Sequence, residues 1–144
     1  MIFKDINCNF FVQPHALQYA STHDEVASVC EKNNILSRAI YNLDKSADAN
    51  DVTLNYAKQS DGKEYPVIRL MPPVYPDETY TRDAMIKLIE DDKALFRIHP
   101  TSYAAPMHMW MYDWMFDVLS ESRTPLLVSL QELNLNDAAA VKEK

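Results

Sequence analysis

Apolar runs of strand length alternate with amphipathic runs of helix length about every 30 residues, the spacing of βαβ units. That spacing restricts the fold more than any other feature. Strands joined this way lie parallel, and their connections are right-handed. The predicted strands are Met1 to Phe10, Ile35 to Leu43, Tyr65 to Met71, Ala94 to His99 and Pro125 to Leu130.

The segments between them carry helix and turn signals. Phe11 to Ser21, with Pro14 and His15, reads as a loop. Thr22 followed by Glu25 forms a capping box for a helix whose apolar stripe is Val26, Val29 and Cys30, ending at Asn33-Asn34. Asn50 is placed to cap a second helix, with Val52, Tyr56 and Leu54 facing inward and Asp61-Gly62 as its stop. Pro72, Pro73 and Pro76 stiffen the next loop. A third helix, from Thr79 or Thr81, carries Met85, Ile86, Leu88 and Ile89. Pro106 suits the first position of a fourth helix that reaches Ser122, and Asn136 caps a last one toward Lys144.

Side chains on a strand alternate between faces. One set of alternate positions reads Asp5, Asn7, Asn9; Arg38, Ile40, Asn42; Val67, Arg69, Met71; Leu95, Arg97, His99; Leu127, Ser129, Gln131. The complementary set is nearly all apolar, including Cys8, Tyr41, Ile68, Leu70, Phe96, Ile98 and Val128. A sheet with one apolar face and one polar-tipped face needs helices on one side only. An open doubly wound sheet needs them on both. The expected fold is therefore α/β, with parallel (β/α) repeats forming about half of a TIM-type barrel in a single partial domain over 1–144.

Composition narrows the function classes. The net charge of -7 and pI near 5.0 argue against nucleic acid and anionic membranes as partners. No run approaches the ~18 apolar residues of a membrane span. The N-terminus lacks a basic region followed by an apolar one, so a cytoplasmic location is expected. Gly62 is the sole glycine, which excludes glycine-rich phosphate loops. Cys8 and Cys30 lack metal-ligand spacing and read as buried, reduced thiols.

Several segments together resemble the amidohydrolase superfamily, most closely the branch that includes the aminocarboxymuconate-semialdehyde decarboxylases. They are Asp5 to Phe10, ILSRAIYN from Ile35, PVIRLMPP from Pro66, FRIHP from Phe96 and PLLVSLQ from Pro125. The resemblance implies a metal-dependent hydrolase barrel in which the first strand ends His-x-His and the fifth supplies another histidine, all binding a divalent metal such as zinc. Asn7, Asn9 and Ser129 stand at those places here. The expectation is a divergent barrel segment with no metal ligands and no cofactor. If a missing half or a partner chain completes it, the family chemistry would be hydrolysis or decarboxylation of a small organic acid.

The candidate site is the inward set Asn7, Asn9, Asn42, Arg69, Arg97, Ser129 and Gln131 as ligand-binding residues, with His99 as acid or base. Arginine binds carboxylates through a planar fork, and histidine titrates near neutral pH. These side chains would hold a small anionic ligand. The plainer alternative is that Asp5 pairs with one of the arginines and His99 is a satisfied strand-end residue. A half barrel leaves strand edges open, so a homo-oligomer, most simply a dimer, is expected. A non-catalytic self-associating scaffold is the reading from another class. The fourth helix adds to it: Met107, Trp110, Met111, Trp114, Met115, Val118 and Leu119 follow core spacing, and Met109, Tyr112 and Phe116 widen the apolar surface to a flank that could meet a partner.

Overall fold

In the computed structural model the chain is an α/β protein with a five-strand, all-parallel sheet of order β1-β2-β3-β4-β5, alternating with helices. The structure describes residues 3–10, 22–44, 46–71, 80–102, 109–129 and 132, without the side chains of Phe3, Asp5, Ile6, Asn7 and Met109. The expected loops around Pro14 and Pro72, the helix start at Pro106, Gln131 and the last helix lie outside the described residues. Among the described residues no helix is long and apolar enough to cross a membrane.

The elements are β1 (Phe3–Phe10), α1 (His23–Lys32), β2 (Ile35–Asn42), α2 (Ala49–Gln59), β3 (Glu64–Arg69), α3 (Arg82–Asp92), β4 (Leu95–Arg97), α4 (Met109–Ser122) and β5 (Leu126–Leu127). They group into two compact units, Met1–Ile68 with Lys87–Leu95, and Arg69–Ile86 with Phe96–Lys144.

In the first unit β1, β2 and β3 pair in parallel. A cluster of Cys8, Phe10, Val26, Cys30, Ile40 and Ala57 forms the core, with Ile35, Val52 and Tyr56 packed against it. The expected capping box is present: Thr22 Oγ1 accepts from the Glu25 N–H at 3.2 Å, and the Thr22 N–H donates to Glu25 Oε2 at 3.0 Å.

Two helix expectations need correction here. Val29 is 42% exposed, so the buried stripe of α1 is Val26 and Cys30 alone. Asn50 is not the cap of α2, which begins one residue earlier at Ala49. The chain has already turned at Asp44, whose carboxylate accepts from the Ser46 hydroxyl at 2.8 Å and its N–H at 3.2 Å. Ala49, Asn50, Thr53 and Ala57 form the buried face of α2. Small side chains in that row let a helix approach closely, and Val52, Tyr56 and Leu54 are left half-buried on its flanks.

A larger correction concerns the second strand. Asp5 is in register with Arg38, but Cys8 is in register with Ile40, so β1 carries an extra residue between these pairs. Such a bulge shifts every later side chain by one position relative to the partner strand. Asn9 therefore pairs with Tyr41, and Phe10 with Asn42. Arg38, Ile40 and Asn42 occupy the helix-side row with Cys8 and Phe10, not the row of Asn9. Strand β3 continues the same rows, with Arg38 opposite Glu64, Ala39 opposite Tyr65 and Ile40 opposite Pro66.

The second unit is built on β4 and β5, where Phe96 pairs with Leu126 and Arg97 with Leu127. The Leu70 N–H donates to the Arg97 carbonyl at 2.8 Å, and the Ile98 N–H to the Leu127 carbonyl at 3.2 Å. In α4 the buried side chains are Met111, Tyr112, Met115, Val118 and Leu119. The face is thus rotated from the expected one. Tyr112 lies in the core, stacked on Phe116 with centroids 5.5 Å apart, whereas Trp110 is 75% exposed and Trp114 half-buried.

Candidate anion site at the carboxyl ends of β4 and β5

The parallel pairing in the second unit puts four candidate residues in one row. In a parallel ladder an N–H donates to the residue preceding its cross-strand partner. The two bonds just given therefore pair Leu70 with Ile98 and Ile98 with Val128. Arg69 then stands beside Arg97, and His99 beside Ser129, all on the face opposite fully buried Phe96 and Ile98. Arg69 is buried, and Arg97, His99 and Ser129 are half-buried.

Glu132, which the sequence reading missed, ties the row together. Its Oε2 accepts from the Thr101 N–H at 2.9 Å and the Ser102 N–H at 3.0 Å, and its Oε1 from the Ser102 hydroxyl. Its carbonyl accepts from the Thr101 hydroxyl at 2.7 Å. Its own N–H reaches the Ser129 carbonyl at 3.1 Å. The loop leaving β4 is thus stapled to the loop leaving β5. His99 Nδ1 lies 3.7 Å from Glu132 Oε1, close enough for electrostatic coupling but too far for a hydrogen bond.

These neighbours set the ionisation of the site. Burial holds the His99 imidazole below its ordinary pKa, helped by the positive charges of Arg97 and Arg69 and opposed by Glu132. His99 is therefore a neutral imidazole at neutral pH. Burial works against the Glu132 carboxylate too, but the Ser102 hydroxyl and the Ser102 and Thr101 N–H groups outweigh it and hold its pKa below the usual range. Among the described residues the row sets two guanidiniums beside one carboxylate, whose oxygens are engaged by Thr101 and Ser102.

Asn9 and Asn42 belong to the first unit and occupy different rows there. Asn42 Oδ1 accepts from the Asp44 N–H at 2.9 Å, a turn contact. The Asn7 side chain and Gln131 lie outside the described residues.

The metal that the resemblance implies does not fit the donors present. Asparagine and serine are poor zinc ligands, and among the described residues no three His, Cys, Asp or Glu side chains come together to hold an ion. Among the described residues His99 has one carboxylate near it, and that carboxylate is committed to Thr101 and Ser102.

The first unit holds a second polar cluster. Glu64, its side chain 0% exposed, accepts from Arg38 Nε at 2.7 Å through Oε1. It also accepts from His23 Nε2, which lies 2.8 Å from Oε2 and 2.9 Å from Oε1. A carboxylate only accepts, so the His23 proton is on Nε2. The His23 ring stacks on Tyr56 with centroids 3.9 Å apart and meets Phe10 edge-on. A cavity of about 380 Å³ is lined by His23, Arg38, Tyr56, Glu64, Asp24 and Lys63.

No family model, curated protein or solved structure matches the chain.

Proposed function

We propose that the chain is a divergent amidohydrolase-like half barrel that binds a small organic anion, without a metal, at Arg69, Arg97 and His99. The observation that carries this reading is the partly buried row of two arginines and a histidine at the carboxyl ends of parallel strands, where α/β proteins place their ligands. The Glu132 carboxylate is engaged by the Thr101 and Ser102 N–H groups. Arginine forks match carboxylate geometry. A homo-oligomer in the cytoplasm is part of this proposal.

Calorimetric titration with acetate, succinate and phosphate tests it. The expected result is carboxylate binding that weakens by about tenfold or more in Arg97→Gln, as loss of a charge-assisted bond worth about 1.5–3 kcal/mol requires. Absence of heat with every anion in the wild-type chain would overturn the proposal.

His99 favours a second reading. A neutral imidazole beside two guanidiniums is suited to act as a general base on a bound organic acid. Turnover of a carboxylate substrate by the chain, lost in His99→Gln with binding retained, would convert the binding site into an active site.

A further inference from the structure

Cys8 on β1 and Cys30 on α1 are both buried thiols, and their Sγ atoms are 3.8 Å apart. The register of β1 explains the meeting. The bulge before Cys8 brings it opposite Ile40 and into the helix-side row, where α1 presents Cys30. Packing alone would be satisfied by any small apolar pair. The chemistry differs because the Arg38 guanidinium lies against Cys30 as well as Glu64. The thiolate is the nucleophilic form of a cysteine.

We propose that Cys8 and Cys30 are a modification site, oxidised by hydrogen peroxide to an intramolecular disulfide. The Cys30 thiolate attacks the peroxide, forming an S–O bond as the O–O bond breaks, and the departing hydroxide takes up the thiol proton as water. The Cys8 sulfur then attacks the Cys30 sulfenic acid. An S–S bond forms, the S–O bond breaks, and a second water leaves with the Cys8 proton. Two thiols lose two electrons, and hydrogen peroxide gains them. The sulfurs need only close their present gap, and Cys30 gives up its contact with Arg38. Burial makes the reaction slower than that of an exposed thiol, since the oxidant enters through local opening.

The test is incubation of the folded chain with hydrogen peroxide, followed by alkylation and peptide mass analysis without reductant. The expected product is monomeric, lighter by two hydrogens, with a Cys8–Cys30 peptide pair that thiol reductant reverses. It has a higher urea midpoint, because the bond closes a 22-residue separation in the unfolded chain. Cys8→Ser should leave Cys30 as a sulfenic acid trapped by a cyclic dione, and Cys30→Ser should leave Cys8 unmodified. Both thiols remaining alkylatable in the folded chain, with a disulfide forming only after unfolding in urea, would overturn the proposal. Dione labelling of Cys8 in Cys30→Ser but not of Cys30 in Cys8→Ser would overturn the assignment of the attacking sulfur.

Discussion

Arg38 and Glu64 stand opposite each other on adjacent parallel strands, with Arg38 Nε donating to Glu64 Oε1 at 2.7 Å on the side packed by helices. The carboxylate has no solvent exposure, and the arginine side chain is 8% exposed. A buried charge persists where its partner and hydrogen bonds compensate desolvation, and here Arg38 and His23 together do so.

Removing one partner should therefore cost more than removing both. Glu64→Leu leaves Arg38 buried without its carboxylate and should lower stability by about 3–5 kcal/mol. Arg38→Met combined with Glu64→Leu should cost much less, because neither charge is then stranded. Urea unfolding of the single and double variants measures the coupling. Additive losses would mean that the pair is not energetically linked.

The second prediction concerns pH. His99 and Glu132 both have folded-state pKa values below their ordinary ones: burial lowers that of His99, whereas for Glu132 burial is outweighed by the Ser102 and Thr101 hydrogen bonds. For both groups the unfolded chain binds protons more readily, so stability is greatest above the unfolded pKa and falls as pH drops. The His99 contribution is lost first, as pH falls below about 6.5, and that of Glu132 below about 4.3. His99→Gln should flatten the upper part of the profile and leave the lower part. An unchanged slope between neutral pH and pH 5 would contradict the His99 environment described here.

Glu132→Ala should act on both loops and on the histidine. It strips acceptors from the Thr101 and Ser102 N–H groups, for a loss of about 1–3 kcal/mol. It also removes a neighbouring negative charge that raises the His99 pKa, so that pKa should fall further. An NMR titration of the His99 ring reads this directly. A rise would show that Glu132 is not the charge that His99 senses.

A fourth prediction arises from the scarcity of glycine. The left-handed residue just beyond each helix is Asn34, Asp61, Lys93 or Arg123, with φ between 54° and 57°. Glycine is the usual occupant, because a side chain makes this conformation costly. Arg123→Gly should raise stability by about 0.5–1 kcal/mol, the reverse of the usual glycine penalty. Gly62, at φ 76°, has nothing within 4 Å of where a Cβ would stand, so Gly62→Ala should cost about 1 kcal/mol through backbone strain alone. Thermal melts of both variants check the signs.

The strand–helix alternation and the parallel sheet were legible in the sequence, because period and turn residues are local properties. So was the row of Arg69, Arg97, His99 and Ser129, since β4 and β5 keep their alternation. The face of β2 was not legible. One extra residue in β1 reverses the row, and a bulge leaves no mark on hydrophobic periodicity. A signal for the Arg38–Glu64 pair was nonetheless present: Arg38 alternates with Ile40, and Glu64 with Pro66 and Ile68. Opposite charges on two apolar rows imply that the rows are adjacent. Glu132 carried no such signal, because its role depends on how two loops meet. On α4 the spacing fitted two neighbouring faces, and only packing selected the one that buries Tyr112 and exposes Trp110.

The most direct measurement of the central claim is a titration of the labelled chain with acetate, followed by amide and imidazole NMR shifts. Saturable changes are expected, confined to Arg69, Arg97, the His99 ring, Thr101, Ser102 and Ser129, with the His99 pKa rising as the anion binds. Changes concentrated around His23 and Glu64, or drifting without saturation across the surface, would contradict it.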